Sequence, residues 1–89
     1  MEIEFDPAKR AWTLAERGLD LAEVPAIFAG AVVTYPDDRR DYAEPRFITI
    51  GRLRGRMVVV VWTPRDSAYR IVSLRKANVR EQAAYGSRI

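Results

Sequence analysis

Residues 56–63, Arg-Met-Val-Val-Val-Val-Trp-Thr, constrain the fold more than any other segment. Side chains of an extended chain alternate between two faces, so this run is apolar on both. Such a strand belongs in the middle of a sheet. Its six-residue apolar stretch, 57–62, is far too short to span a membrane. The segments around it read as its neighbours. Residues 46–51 (Arg-Phe-Ile-Thr-Ile-Gly) form a strand joined to it by a tight turn at 53–55. Residues 64–67 turn the chain, and 69–74 form the last strand. Residues 31–35 are β-branched and read as another strand, followed by a charged loop at 36–41.

Ahead of these strands, residues 2–5 alternate polar and apolar, which predicts a short first strand. Asp6-Pro7 then starts a helix, with Asp as N-cap and Pro at the first helical position. Ala8, Ala11, Trp12 and Ala15 form its apolar stripe, and Gly18 ends it. Asp20 caps a second helix carrying Leu21, Val24, Ile27 and Phe28, irregular at Pro25. Residues 77–85 form a C-terminal helix that stops at Gly86. The order is βααββββα within one domain, residues 1–89. The fold class is α+β, a mostly antiparallel meander with two N-terminal helices on one face. The other face is then solvated or covered by a partner.

The net charge of +3 hides an asymmetry. Residues 1–51 hold six Lys/Arg against ten Asp/Glu, and residues 52–89 hold nine against two. Thirteen of the fifteen basic residues are Arg, whose planar fork suits phosphate. A basic half of this kind points to a polyanion, or reflects an Arg-rich coding bias. Cysteine and histidine are both absent. That excludes disulfides, thiolate chemistry and a Ser-His-Asp triad, and removes the commonest zinc ligand. The N-terminal residues lack the basic and apolar regions of a secretory signal, so a soluble cytoplasmic domain is the expectation. No glycine-rich phosphate loop occurs. Asp37, Asp38 and Asp41 read as a solvated acidic loop rather than a metal site.

Charge and aromatics coincide in three places: around Tyr42, Glu44, Arg46 and Phe47; along 69–76; and at Arg80, Glu81 and Tyr85. Strict alternation along 69–76 places Arg70 with Val72 and Leu74, on the more apolar face, and Arg75 on the other. Arg70 then needs a carboxylate, Glu44 or Asp66, as an anchor, or it serves as a ligand for phosphate. Cleavage of RNA through the ribose 2′-hydroxyl requires a base, cations for the phosphorane oxygens and an acid for the leaving oxygen. Glu44 fits the first role, and Arg46, Arg70 or Arg75 the second. Lys76, Tyr85 or a phosphate-bound Arg fits the third. Tyr42 and Tyr85 offer faces on which bases stack, or they anchor the loop and the last helix.

Several short motifs occur in a fixed order: Asp6-Pro7-Ala8-Lys9, Gly18, Glu44-x-Arg46-Phe47, Ile50-Gly51, Arg70-Ile71-Val72-Ser73-Leu74-Arg75-Lys76-Ala77 and Arg80-Glu81-x-x-x-Tyr85. This series resembles the BrnT family of type II toxins over essentially the whole chain. The resemblance implies a RelE-like fold, cleavage of RNA without a metal or other cofactor, and growth arrest. It also implies a BrnA-type ribbon-helix-helix antitoxin as partner, with DNA contacted only through that antitoxin. The family's charged positions fall on Lys9, Glu44, Arg46, Arg70, Arg75 and Lys76. Arg70, Arg75, Arg46 and Glu44 are the catalytic candidates. Lys9, Lys76, Arg80, Tyr42 and Tyr85 are the substrate-binding candidates. The family usually has Asn and then Lys-His-Gly at the end of the first helix, where this chain has Thr13 and Glu16-Arg17-Gly18. Two other readings stay open: an RNA- or ribosome-binding module without catalysis, and a co-repressor that acts only by binding the antitoxin.

Overall fold

Val58, Val59 and Val60 are inaccessible to solvent, as their position in a central strand demands. The computed structural model describes residues 1–89. Its strands are β1 (Ile3–Glu4), β2 (Val33–Pro36), β3 (Phe47–Leu53), β4 (Arg56–Arg65) and β5 (Ala68–Lys76). Its helices are α1 (Pro7–Arg17), α2 (Val24–Phe28) and α3 (Val79–Tyr85), with 3-10 turns at Leu21–Glu23 and Gly86–Arg88. The sheet order is β1-β5-β4-β3-β2. β2 to β5 form the expected antiparallel meander, and β1 adds to its edge in parallel with β5. The fold is α+β. No helix is long and apolar enough to cross a membrane.

Local chemistry explains the helix ends. Asp6 accepts a hydrogen bond from the Ala8 amide at 2.9 Å, and Gly18 closes α1 with φ +68°. Proline at position 25 suits the first turn of α2, which follows a 3-10 turn capped by Asp20. Asn78 and Glu81 form a reciprocal capping box, so α3 starts at Val79 rather than at 77.

Four expectations are corrected. First, α1 turns its alanine stripe outward: Ala8, Ala11, Trp12 and Ala15 are exposed, and Thr13 is buried instead. Three alanines offer little area to bury. The space above the sheet is filled by Leu19, Leu21, Val24 and Ile27 against Leu53, Val58, Val60, Ile71 and Leu74. Second, the opposite face is partly covered by the chain itself. Tyr85 and Ile89 pack there on Ile48, Ile50, Met57, Val59 and Val61. Third, β4 continues through Pro64 to Arg65, and the turn is confined to Asp66-Ser67, with Asp66 at φ +54°. β3 has already ended, because Phe47 pairs with Trp62, so Pro64 has no neighbour there whose carbonyl its missing N–H would leave unpaired.

The fourth correction concerns β5. Val61 pairs with Ser73, yet Trp62 pairs with Ile71, so Val72 is an extra, bulged residue. The bulge resets the alternation. Ile71 and Leu74 both join the core beneath α1 and α2. Arg70, opposite Thr63, and Arg75, opposite Val59, therefore share the other face.

Candidate active site

Four of the candidate residues meet at one end of the sheet. Lys9, Glu44, Arg46 and Arg70 line a pocket of about 240 Å³ together with Asp6, Thr63 and Arg65. Each arrives by a different local device. The Asp6 cap starts α1 and sets Lys9 in its first turn. The ten-residue loop 37–46 supplies Glu44 and Arg46, and its ends are tied by the Asp37 amide donating to the Arg46 carbonyl at 2.8 Å. β5 supplies Arg70, next to the bulge.

Asp37 organises that loop. Its side chain is fully buried, and its carboxylate accepts from Arg39 Nε and Nη2, each at 2.7 Å, and from the Tyr42 hydroxyl at 3.1 Å. The Arg39 hydrogen bonds hold the Asp37 carboxyl down at about 2. Tyr42 in turn carries the Arg46 guanidinium over its ring, 4.2 Å from the centroid. Tyr42 is thus a half-buried support for Arg46, with its hydroxyl bound to Asp37. The Thr63 hydroxyl donates to the Pro45 carbonyl and fixes the loop against β4.

The pocket's charges are loosely held. Arg70 approaches Glu4 at 3.7 Å, too long for a hydrogen bond, which leaves its donors free. Glu4, its neighbour on β1, thus replaces the expected Glu44 or Asp66 as its carboxylate. Glu44 accepts instead from Arg65 Nη2 at 2.8 Å. It is about half exposed and so meets solvent and solute alike. Lys9, Arg46 and Arg70 present cationic donors to one hollow beside two held carboxylates, Glu44 on Arg65 and Asp6 on the Ala8 amide. Guanidinium and ammonium donors of this kind are able to bind a phosphodiester, and a carboxylate is able to accept a proton.

Arg75 stands apart. Thr63 and Val59, the partners of the two arginines, are four residues apart on β4, or about 13 Å. Arg75 is clamped by Glu81, with Nη1 on Oε1 at 2.8 Å and Nη2 on Oε2 at 2.7 Å. Those bonds pull the Glu81 carboxyl below its usual range. Glu81 also accepts from the Asn78 amide, so Arg75 fastens α3 to the sheet. Beside it Tyr85 stacks on Tyr35 with centroids 6.0 Å apart. Burial pushes the Tyr35 hydroxyl up. Lys76 lies at the opposite end of the sheet from the pocket, and Arg80 is exposed on α3 with no ion pair.

Arg65 was missed by sequence reasoning because Pro64 suggested a turn. The alternation Val61, Thr63, Arg65 continuing past Pro64 is the signal that locates it. Arg17 lies eight residues beyond Lys9, about 12 Å along α1. There it donates to the Leu74 carbonyl at 2.9 Å and covers the Trp12 ring at 4.9 Å. It ties α1 to β5 and does not line the pocket. In the acidic loop, both Asp37 oxygens are engaged by Arg39, and no group of three carboxylates suited to a metal forms.

A sequence model described as the ribonuclease toxin, BrnT, of a type II toxin-antitoxin system matches residues 5–81, which includes every residue lining this pocket. No curated protein matches the chain.

Proposed function

The chain belongs to the BrnT family of ribonuclease toxins of type II toxin–antitoxin systems, and from that premise we propose that it is a metal-independent endoribonuclease whose active site is the Lys9–Glu44–Arg46–Arg70 pocket. One observation carries this reading. Residues from three separate stretches of the chain, Lys9, Glu44 with Arg46, and Arg70, converge on one hollow with the donors of Arg70 uncommitted.

Glu44 takes the proton of a ribose 2′-hydroxyl, and the 2′-oxygen attacks the adjacent phosphorus. Arg70 and Arg46 hold the phosphorane oxygens as negative charge builds there. Lys9 is the ammonium in the pocket and gives a proton to the departing 5′-oxygen. The products are a 2′,3′-cyclic phosphate and a 5′-hydroxyl. Arg65 fixes Glu44, and Arg75 acts as a scaffold through Glu81. A BrnA-type ribbon-helix-helix antitoxin neutralises the toxin by covering basic surface in 40–47 and 69–85, and DNA is met only through it. Arg17, where the family usually has His, sits outside the pocket, so its presence takes no group from this chemistry.

The test is expression of the chain without an antitoxin, with growth and RNA integrity followed together. Growth arrest with RNA fragments ending in cyclic phosphate supports the proposal, and Glu44→Gln abolishes both effects. Arrest with intact RNA identifies a binding module instead.

A further inference from the structure

A second concave surface lies at the far end of the sheet from that pocket. It is a hollow of about 660 Å³ around the β3–β4 hairpin, and its charged lining residues are Arg52, Arg54, Arg56 and Lys76. No carboxylate lines it. β4 connects the two ends, running from Arg56 at the hollow to Arg65 at the pocket, about 30 Å along the strand.

The four cations are not equivalent. Arg54 forms a two-bond ion pair with Glu23 and so ties the hairpin to the 3-10 turn that precedes α2. Arg54 also holds φ +52° in the turn, a position that Asn, Asp or Gly usually fills. Arg56 and Lys76 are exposed and make no ion pair, and Arg52 has only a long bond, 3.3 Å, to the Gly86 carbonyl. Three cations gathered in one hollow without a counter-charge repel one another, and a polyanion relieves that repulsion. The hollow holds Met57 and Ala77 as its hydrophobic residues and no aromatic anchor. Arg and Met are common at protein interfaces, but such interfaces are also rich in aromatic side chains, and this hollow has none. Sugar–phosphate backbone needs only spaced cations.

We infer that Arg52, Arg56 and Lys76 form a phosphate-backbone site, which grips a single-stranded stretch of RNA without reading its bases, away from the bond that is cut. This inference rests on the ribonuclease reading for its ligand, and it adds a second anchoring point to that reading's pocket.

The test measures binding of a fully 2′-O-methylated RNA oligonucleotide, which keeps the phosphates and cannot undergo transesterification. Binding is followed by fluorescence anisotropy at 50–200 mM salt for the parent and for Arg52→Gln/Arg56→Gln. Thermal midpoints confirm that both are folded. Two lost phosphate contacts reduce the slope of log affinity against log salt by about 1.4 and weaken binding at 50 mM roughly tenfold or more. Equal affinities and slopes overturn the inference, as does a parent that does not bind the oligonucleotide. A double variant that loses affinity for a polyglutamate peptide but not for the oligonucleotide also overturns it, and assigns the hollow to an acidic protein. Binding is read without cleavage. A parent that binds with this salt dependence but never cuts RNA therefore refutes the catalytic proposal and leaves this site standing.

Discussion

Asp37→Asn removes the charge around which loop 37–46 is built. The Asp37 carboxyl falls from the ordinary 3.8 to about 2, chiefly through the Arg39 hydrogen bonds. At 1.36 kcal/mol per unit that shift represents roughly 2 kcal/mol, and screening at the exposed Arg39 guanidinium reduces it to about 1–2 kcal/mol. For a domain of this size the thermal midpoint at pH 7 falls by roughly 5–12 °C. The folded value lies below the unfolded one. The carboxylate's contribution is therefore complete above about pH 4 and disappears as pH falls from there toward 2. Calorimetry of parent and Asp37→Asn between pH 7 and pH 2.5 measures both effects. The gap between them is wide at pH 7 and shrinks to about one third of that at pH 2.5. Identical midpoints at pH 7, or a gap that stays constant across the range, refute the assignment of Asp37 as the loop's anchor.

Two further substitutions probe the packing. A Cβ at Gly51 meets Ile27 Cγ2 at 2.7 Å and Val32 Cγ1 at 3.0 Å, so Gly51→Ala overpacks the contact between β3 and α2. It costs about 1–3 kcal/mol, read from denaturant midpoints, and an unchanged midpoint contradicts the packing. The Thr13 hydroxyl is buried without a hydrogen-bond partner, so Thr13→Val stabilises the fold by about 1 kcal/mol. A lower thermal midpoint for Thr13→Val shows that the hydroxyl has a partner after all.

The meander was legible because its signals are local: the valine run, the Arg54-Gly55 turn and the N-cap at Asp6. The roll of α1 was not. Ala8, Ala11, Trp12 and Ala15 make an amphipathic pattern, but the choice of buried face depends on what else fills the space above the sheet, and Leu19, Leu21, Val24 and Ile27 fill it. The bulge at Val72 was indicated only indirectly. Arg70 and Arg75 have opposite parity, so to act on one site they need a bend or bulge near Ser73, or an Arg75 that lies past the strand's end. The pocket was legible in part. Glu44, Arg46, Arg70 and Lys9 were named from sequence and converge, whereas Arg75, Lys76, Arg80 and Tyr85 lie elsewhere. Residue type marks a cation as able to bind phosphate. Whether a carboxylate already holds it, as Glu81 holds Arg75, is decided by tertiary structure.

The central claim is that Arg70, and not Arg75, holds the phosphate that is cut. The most direct measurement is the RNA cleavage rate and thermal midpoint of Arg70→Lys and Arg75→Lys, each compared with the parent. Lysine keeps the charge and loses the bidentate fork. Arg70→Lys is predicted to lower the cleavage rate roughly 100- to 1000-fold with the midpoint nearly unchanged. Arg75→Lys is predicted to lower the midpoint, because it breaks the two-bond clamp on Glu81. A folded Arg70→Lys variant that cleaves RNA at the parent rate contradicts the account and places the chemistry outside this pocket.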